Sequence, residues 1–185
     1  YLPYYTCDVL LEPLQKHHIA YEFYKVNDRL EPVFDFQLIA RDEVFLYTNY
    51  FGFKNKCVVE LASKVENLII DNAQAFYADP LKDIDTFYSP RKFFGVSDGA
   101  YLFTNTLLDN QFERDTSYQR SEHLLKRIDL SAKNAYTDFS LNDFSLKNQP
   151  IKLMSNLTRS ILESIDYMKV AKIRIANFNF LHSIL

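Results

Sequence analysis

Apolar and polar positions change period several times along the first hundred residues. Residues 20–27 (AYEFYKVN) and 43–50 (EVFLYTNY) are short runs rich in aromatic and β-branched side chains, which predicts strands. Residues 67–71 (NLIID), 84–89 (IDTFYS) and 99–104 (GAYLFT) read the same way, and 1–5 (YLPYY) is a shorter extended piece. Between them, 7–18 (CDVLLEPLQKHH) and 54–65 (KNKCVVELASKV) place apolar residues at helical spacing. Strands alternating with helices predict crossover units: an α/β fold with a mainly parallel sheet and helices on both faces, a three-layer αβα arrangement. In such sheets ligands sit beyond the carboxyl ends of the strands. That rule points to residues 47–51, 71–74 and 89–92.

The pattern changes after residue 112. Residues 112–146 and 154–185 are amphipathic and predict long helices, with Pro150 between them as a boundary. The helical C-terminal third is expected to bury one broad stripe: Leu157, Ile161, Ile165, Met168, Val170, Ile173, Ile175, Phe178 and Leu181. The chain divides into a sheet-containing part, 1–150, and a helical part, 151–185.

Composition narrows the partners. The chain has 185 residues, 48% hydrophobic and 24% charged, with a formal net charge of −3, so nucleic acid and anionic membrane are not expected. No apolar run approaches the roughly 20 residues a membrane span needs. The residues at the start do not read as a signal peptide, and the absence of a methionine suggests part of a longer protein. Two cysteines, Cys7 and Cys57, make no disulfide framework or metal-ligand spacing, so a cytoplasmic setting is expected. Cys7 reads as a small buried hydrophobe. Aromatics reach 16% with only three glycines.

Among ionisable residues, Asp71 ends one apolar strand, and Lys92 follows the next in a Ser-Pro-Arg-Lys turn. Two readings stand. The acid is held by a structural ion pair with Lys92 or Arg91, because an unpaired buried charge is costly. Alternatively the pair is a cofactor site, where a desolvated lysine forms a Schiff base with an aldehyde and the carboxylate keeps a pyridinium nitrogen protonated. His17 and His18 suit a helix end, His123 and His182 read as surface or interface residues, and 114–127 reads as a solvated helix face. Asp83 and Asp85 lack a third ligand at a sensible spacing and read as loop residues, so no metal is expected.

Residues 67–78 (NLIIDNAQAFYA) followed by 85–104 (DTFYSPRKFFGVSDGAYLFT) resemble the core of fold type I pyridoxal-phosphate enzymes, in particular the DegT/DnrJ family of sugar aminotransferases. That family carries a strand ending in Asp-x-Ala-Gln/His, then a Ser-containing turn with the Schiff-base lysine. The stretches 47–53 (YTNYFGF), 1–27 and 148–185 also resemble family segments, so the likeness spans nearly the whole chain. The resemblance implies the large-domain fold and pyridoxal 5′-phosphate as cofactor. It implies a nucleotide-linked keto sugar as substrate, glutamate as amino donor, and a homodimer. It implies that Asp71 pairs with the pyridine nitrogen, Gln74 with the ring oxygen and Ser89 with the phosphate. Lys92 would carry the Schiff base and the proton; Asn49 and Tyr50 would line the cleft. The pattern departs from the family in a compact lysine loop, in a tract after Lys92 that holds only Gly95 and Gly99, and in Lys152 where the family has arginine. The family's phosphate-cupping turn has no counterpart in these residues, nor has its small domain, so the chain reads as the central part of the large domain. A catalytically idle homologue or fragment that serves as a binding or oligomerisation unit is the alternative. A sugar dehydratase using the same cofactor would carry His in place of Lys92.

Overall fold

Seven short strands alternate with helices in a computed structural model that describes residues 1–108 and 111–185. In chain order they are β1 (Leu2–Pro3), α1 (Leu11–Lys16), β2 (Phe23–Val26), β3 (Pro32–Val33), β4 (Phe45–Thr48), α2 (Asn55–Ala62), β5 (Leu68–Asp71), β6 (Asp85–Tyr88) and β7 (Tyr101–Phe103). Four helices follow: α3 (Glu122–Asp129), α4 (Tyr136–Ser145), α5 (Asn156–Glu163) and α6 (Tyr167–Ser183). The class is α/β, as the alternation predicts.

The strands form one group in the order β1-β2-β3 and another in the order β4-β5-β6-β7. Tyr1 joins them: its amino group donates to Val44 O at 2.7 Å and its carbonyl accepts from Leu46 N at 2.9 Å. β4, β5 and β6 are parallel, as are β1 and β2, but β3 and β7 run antiparallel to their neighbours. Each group is therefore mixed, with its antiparallel strand at one end. Connection length explains this. The link from Val26 to Pro32 is a tight turn in which Asn27 Oδ1 accepts from the N–H groups of Arg29 and Glu31. The link from Tyr88 to Tyr101 holds only the short turn Pro90–Lys92. Neither contains the helix that a parallel crossover normally uses.

α2 packs Cys57, Val58 and Leu61 against Phe45, Tyr47, Leu68 and Ile70 of the sheet, with Tyr24, Tyr50 and Val65 completing the core. Each buried tyrosine sends its hydroxyl to a distant backbone carbonyl. Tyr24 donates to Leu46 O at 2.8 Å, Tyr47 to Leu30 O at 2.7 Å, Tyr50 to Tyr5 O at 2.7 Å and Tyr88 to Ala78 O at 2.8 Å. A buried phenol needs such a partner, and here the partner is a loop. These bonds tie loops to the sheet in a chain with few glycines.

The helical third departs from the sequence reading. The stretch 112–146 is broken between α3 and α4, where the Ser131 hydroxyl accepts from Asn134 N at 3.2 Å and starts a new turn. The stretch 154–185 is broken before α6, where Asp166 caps the new helix by accepting from Lys169 N at 2.9 Å. The expected single stripe is not buried. α5 buries Thr158 and Leu162 instead of Leu157, and α6 buries no residue, leaving Met168, Ile173, Ile175, Phe178 and Leu181 exposed. The N-cap Asp166 within the apparent stripe rotates its halves out of register. No helix among the described residues is long and apolar enough to cross a membrane.

Candidate functional site

The carboxyl ends of β4, β5 and β6 lie side by side, and the ladder continues past them: Asn49 N donates to Asp71 O and Asn72 N to Phe87 O, both at 2.9 Å. This alignment brings Asp71, Gln74, Ser89 and Lys92 to one rim.

Asp71 is 7% exposed. Its Oδ1 accepts from Ala73 N at 2.8 Å, and its Oδ2 from the Thr48 hydroxyl at 3.4 Å. Burial pushes the carboxyl above the usual range, while the Ala73 N–H, the Lys92 ammonium and the Thr48 hydroxyl oppose that shift. Lys92 is thus near enough to act on Asp71 through its charge. Yet no ion pair among the described residues joins Asp71 to either Lys92 or Arg91; Arg91 reaches Asp143 at 3.5 Å instead. The structural ion-pair reading of Asp71 is therefore overturned. The Lys92 charge favours ionised Asp71 without a salt bridge between the two.

Lys92 is exposed at the end of a turn fixed by Lys92 N donating to Ser89 O at 3.3 Å and Phe93 N to Pro90 O at 2.9 Å. Ser89, partly buried, precedes the turn in extended conformation. Gln74 Oε1 accepts from Phe51 N at 3.3 Å. That N–H belongs to the strained turn 50–53, in which Phe51 has φ 54° and Gly52 has φ 75°. Gln74 thereby ties the loop after β5 to the loop after β4.

Asn49 and Tyr50 are buried and committed to protein partners. Asn49 Nδ2 donates to Asn55 Oδ1 at 2.7 Å and Asn72 Oδ1 at 3.0 Å, and its Oδ1 accepts from Lys54 N at 3.1 Å. Tyr50, its phenol pushed up to about 12 by burial, is spent on Tyr5. They brace the rim rather than face into it.

Aromatic rings stand behind the rim. Phe76, in the loop after Asp71, lies 5.6 Å from Phe93, 4.8 Å from Phe94 and 5.7 Å from Tyr167 between ring centroids. Arg174 of α6 stacks on Phe93 at 5.1 Å. The larger surface hollow, about 430 Å³, lies elsewhere, lined by Phe34, Asp35, Phe36, Gln37 and Lys64. Its lining offers one acid and one amine on an open surface.

A second buried acid was missed in the sequence. Asp98, 6% exposed, accepts from Ser155 N and Ser155 Oγ at 3.1 Å each and from the Thr158 hydroxyl. Arg120 lies between Asp98 and Asp115, and Ser117 Oγ shares a hydrogen with Ser155 Oγ at 2.6 Å. Asp115, Ser117 and Arg120 are thus part of a packed junction, not the solvated face expected of residues 114–127. His123 is buried, and burial lowers its imidazole pKa. Cys7 is exposed, contrary to expectation, whereas Cys57 is buried.

Comparison with protein-family models, with curated proteins and with solved structures finds no match.

Proposed function

We propose that this chain is the central part of a pyridoxal-phosphate-dependent aminotransferase large domain, acting on a nucleotide-linked keto sugar with glutamate as donor. The observation that carries the reading is the placement of a buried acid, Asp71, and an exposed amine, Lys92, at and just after the carboxyl ends of two adjacent parallel strands, with no ion pair between them among the described residues. A structural pair would close to contact, whereas a cofactor site needs space for a flat ring between acid and amine.

The donor set suits the cofactor. A dry carboxylate matches a pyridinium nitrogen, an amide a phenolic oxygen, a hydroxyl a phosphate and an amine an aldehyde. Asp71 would hold the ring nitrogen, Gln74 the ring oxygen, Ser89 the phosphate and Lys92 the aldehyde carbon. The cofactor, when bound, supplies an electron sink. The positive ring in turn relieves the cost of ionised Asp71. Lys92 takes a proton from the donor's α-carbon and returns one nearby, which requires a lysine on one face of the ring. In the net reaction the amino group of glutamate replaces the ketone oxygen of the sugar, and glutamate leaves as its oxo acid. The mixed sheet with antiparallel β7 beside β6 suits such a large domain, the apolar faces of α3–α6 suit packing against a second copy, and the free thiols suit a reducing cytoplasm.

The exposure of Lys92 and the commitment of Asn49 and Tyr50 to protein partners favour a second reading, a catalytically idle homologue that serves as a binding unit. One experiment separates the two. Added pyridoxal phosphate is expected to give a visible absorption band that borohydride removes and that Lys92→Ala lacks. A wild-type chain without that band overturns the aminotransferase reading and leaves the idle one.

A further inference from the structure

We propose that Phe76 is the positioning residue that anchors the Lys92 turn on the loop after Asp71, an inference that rests on the cofactor reading of those two residues. The two residues sit on different loops, and no hydrogen bond or ion pair among the described residues joins their side chains. Aromatic packing makes the connection.

On the acid side, the loop after β5 is stiff. Asp71 Oδ1 accepts from Ala73 N at 2.8 Å, Ala75 N donates to Asn72 O at 2.9 Å, and Ala78 N donates to Ala75 O at 3.0 Å. The Tyr88 hydroxyl fastens Ala78 O at 2.8 Å. Phe76 projects from the middle of this braced segment. On the amine side, the two rings that follow Lys92 both meet Phe76, Phe94 edge-on at 4.8 Å with planes at 79°, and Phe93 at 5.6 Å. Tyr167 of α6 stacks on the remaining face at 5.7 Å with planes 23° apart. Phe76, on the acid loop, thus meets rings of both the amine loop and α6, flanked by the Tyr77–Phe93 contact at 6.1 Å and the Phe94–Tyr167 contact at 5.3 Å. Lysine has a long flexible stem, so the reach of its amine is governed by where its backbone is anchored. The rings directly after Lys92 set that anchor, and Phe76 is what they press on.

The test measures Lys92 itself. The chain is incubated with pyridoxal phosphate and reduced with borohydride, and the pyridoxyl group on each lysine is quantified by peptide mass spectrometry. Wild type is expected to label Lys92 ahead of its other lysines. Phe76→Ala is expected to lower Lys92 labelling about tenfold while leaving the other lysines unchanged, since misplacement by about 1 Å has effects of this order or larger. Phe76→Tyr, which keeps the ring, should stay within about twofold of wild type. A variant that merely loosened the fold would change labelling at all lysines together. If Phe76→Ala fails to fold, Phe76→Leu takes its place, with the same selective loss expected and the same criterion. Wild-type labelling of Lys92 that persists in a folded Phe76 variant overturns the positioning role alone. Wild-type labelling with no preference for Lys92 overturns the cofactor reading and this one with it.

Discussion

Asp71 and Asp98 are equally withdrawn from water, at 7% and 6% exposure, and are wired in opposite ways. Asp98 accepts one backbone N–H and two hydroxyls and has Arg120 alongside at 4.0 Å. Asp71 has one short backbone bond and one hydroxyl at 3.4 Å, with an amine near but not touching. A buried carboxylate whose acceptor sites are filled is structural: it holds Ser155, the N-cap of α5, and fastens the helical third to the loop before β7. A buried carboxylate left half satisfied stores free energy that a ligand can release. Burial alone would have ranked the two alike. The partners tell them apart.

Substitutions sharpen this contrast. Asp98→Ala strands the Ser155 N–H and the Thr158 hydroxyl and leaves Arg120 with Asp115 alone. It should destabilise the chain by about 3 kcal/mol in urea unfolding, the scale of breaking a buried charged network. A loss below about 1 kcal/mol would mean the junction is not the anchor described. Next comes Gly99→Ala. Gly99 has φ 98°, and an added Cβ would lie 3.0 Å from Met154 Cε and 3.1 Å from Thr158 Cγ2. About 1–3 kcal/mol of destabilisation is expected from strain and crowding together.

Asp71→Asn should act in the other direction. Its raised carboxyl pKa means that protonation favours the folded state. The contribution of Asp71 is favourable below the ordinary carboxylate range and is lost as pH rises through the folded pKa. The asparagine variant should therefore match wild type in acid and be more stable, by on the order of 1 kcal/mol, at neutral pH without cofactor. Equal stability at neutral pH would show that Asp71 is already satisfied. The smallest effect belongs to Thr48→Val. Removing the hydroxyl that opposes the shift should move the pH dependence of stability upward, at a cost of a few tenths of a kcal/mol.

The difference between the two acids was only half legible in the sequence. Asp71 was readable because an apolar run ending in an acid places that acid at a strand's carboxyl end, and β5 ends there. The neighbouring strands and α2 were readable for the same reason, from local period. Asp98 was not, because its partners lie 57 and 60 positions away and no local pattern joins them. The burial of Ser117 came from that same distant packing and carried no signature in residues 114–127. The helical third was misread as continuous because apolar spacing survives across the breaks at 130–135 and 164–166. The signals that mark those breaks, Ser131 and Asp166 as local acceptors, are single polar side chains within amphipathic stretches.

The tyrosine hydroxyls that pin loops to the sheet make the fold an alkali-sensitive one. Burial drives the phenols of Tyr24, Tyr47 and Tyr88 upward and Tyr50 to about 12. An unfolded chain releases those protons near pH 10, so each step above that value pulls the equilibrium toward the open chain. Phenolate absorbance in a base titration should accordingly show a late wave from the riveted rings, one that rises only as the sheet itself comes apart.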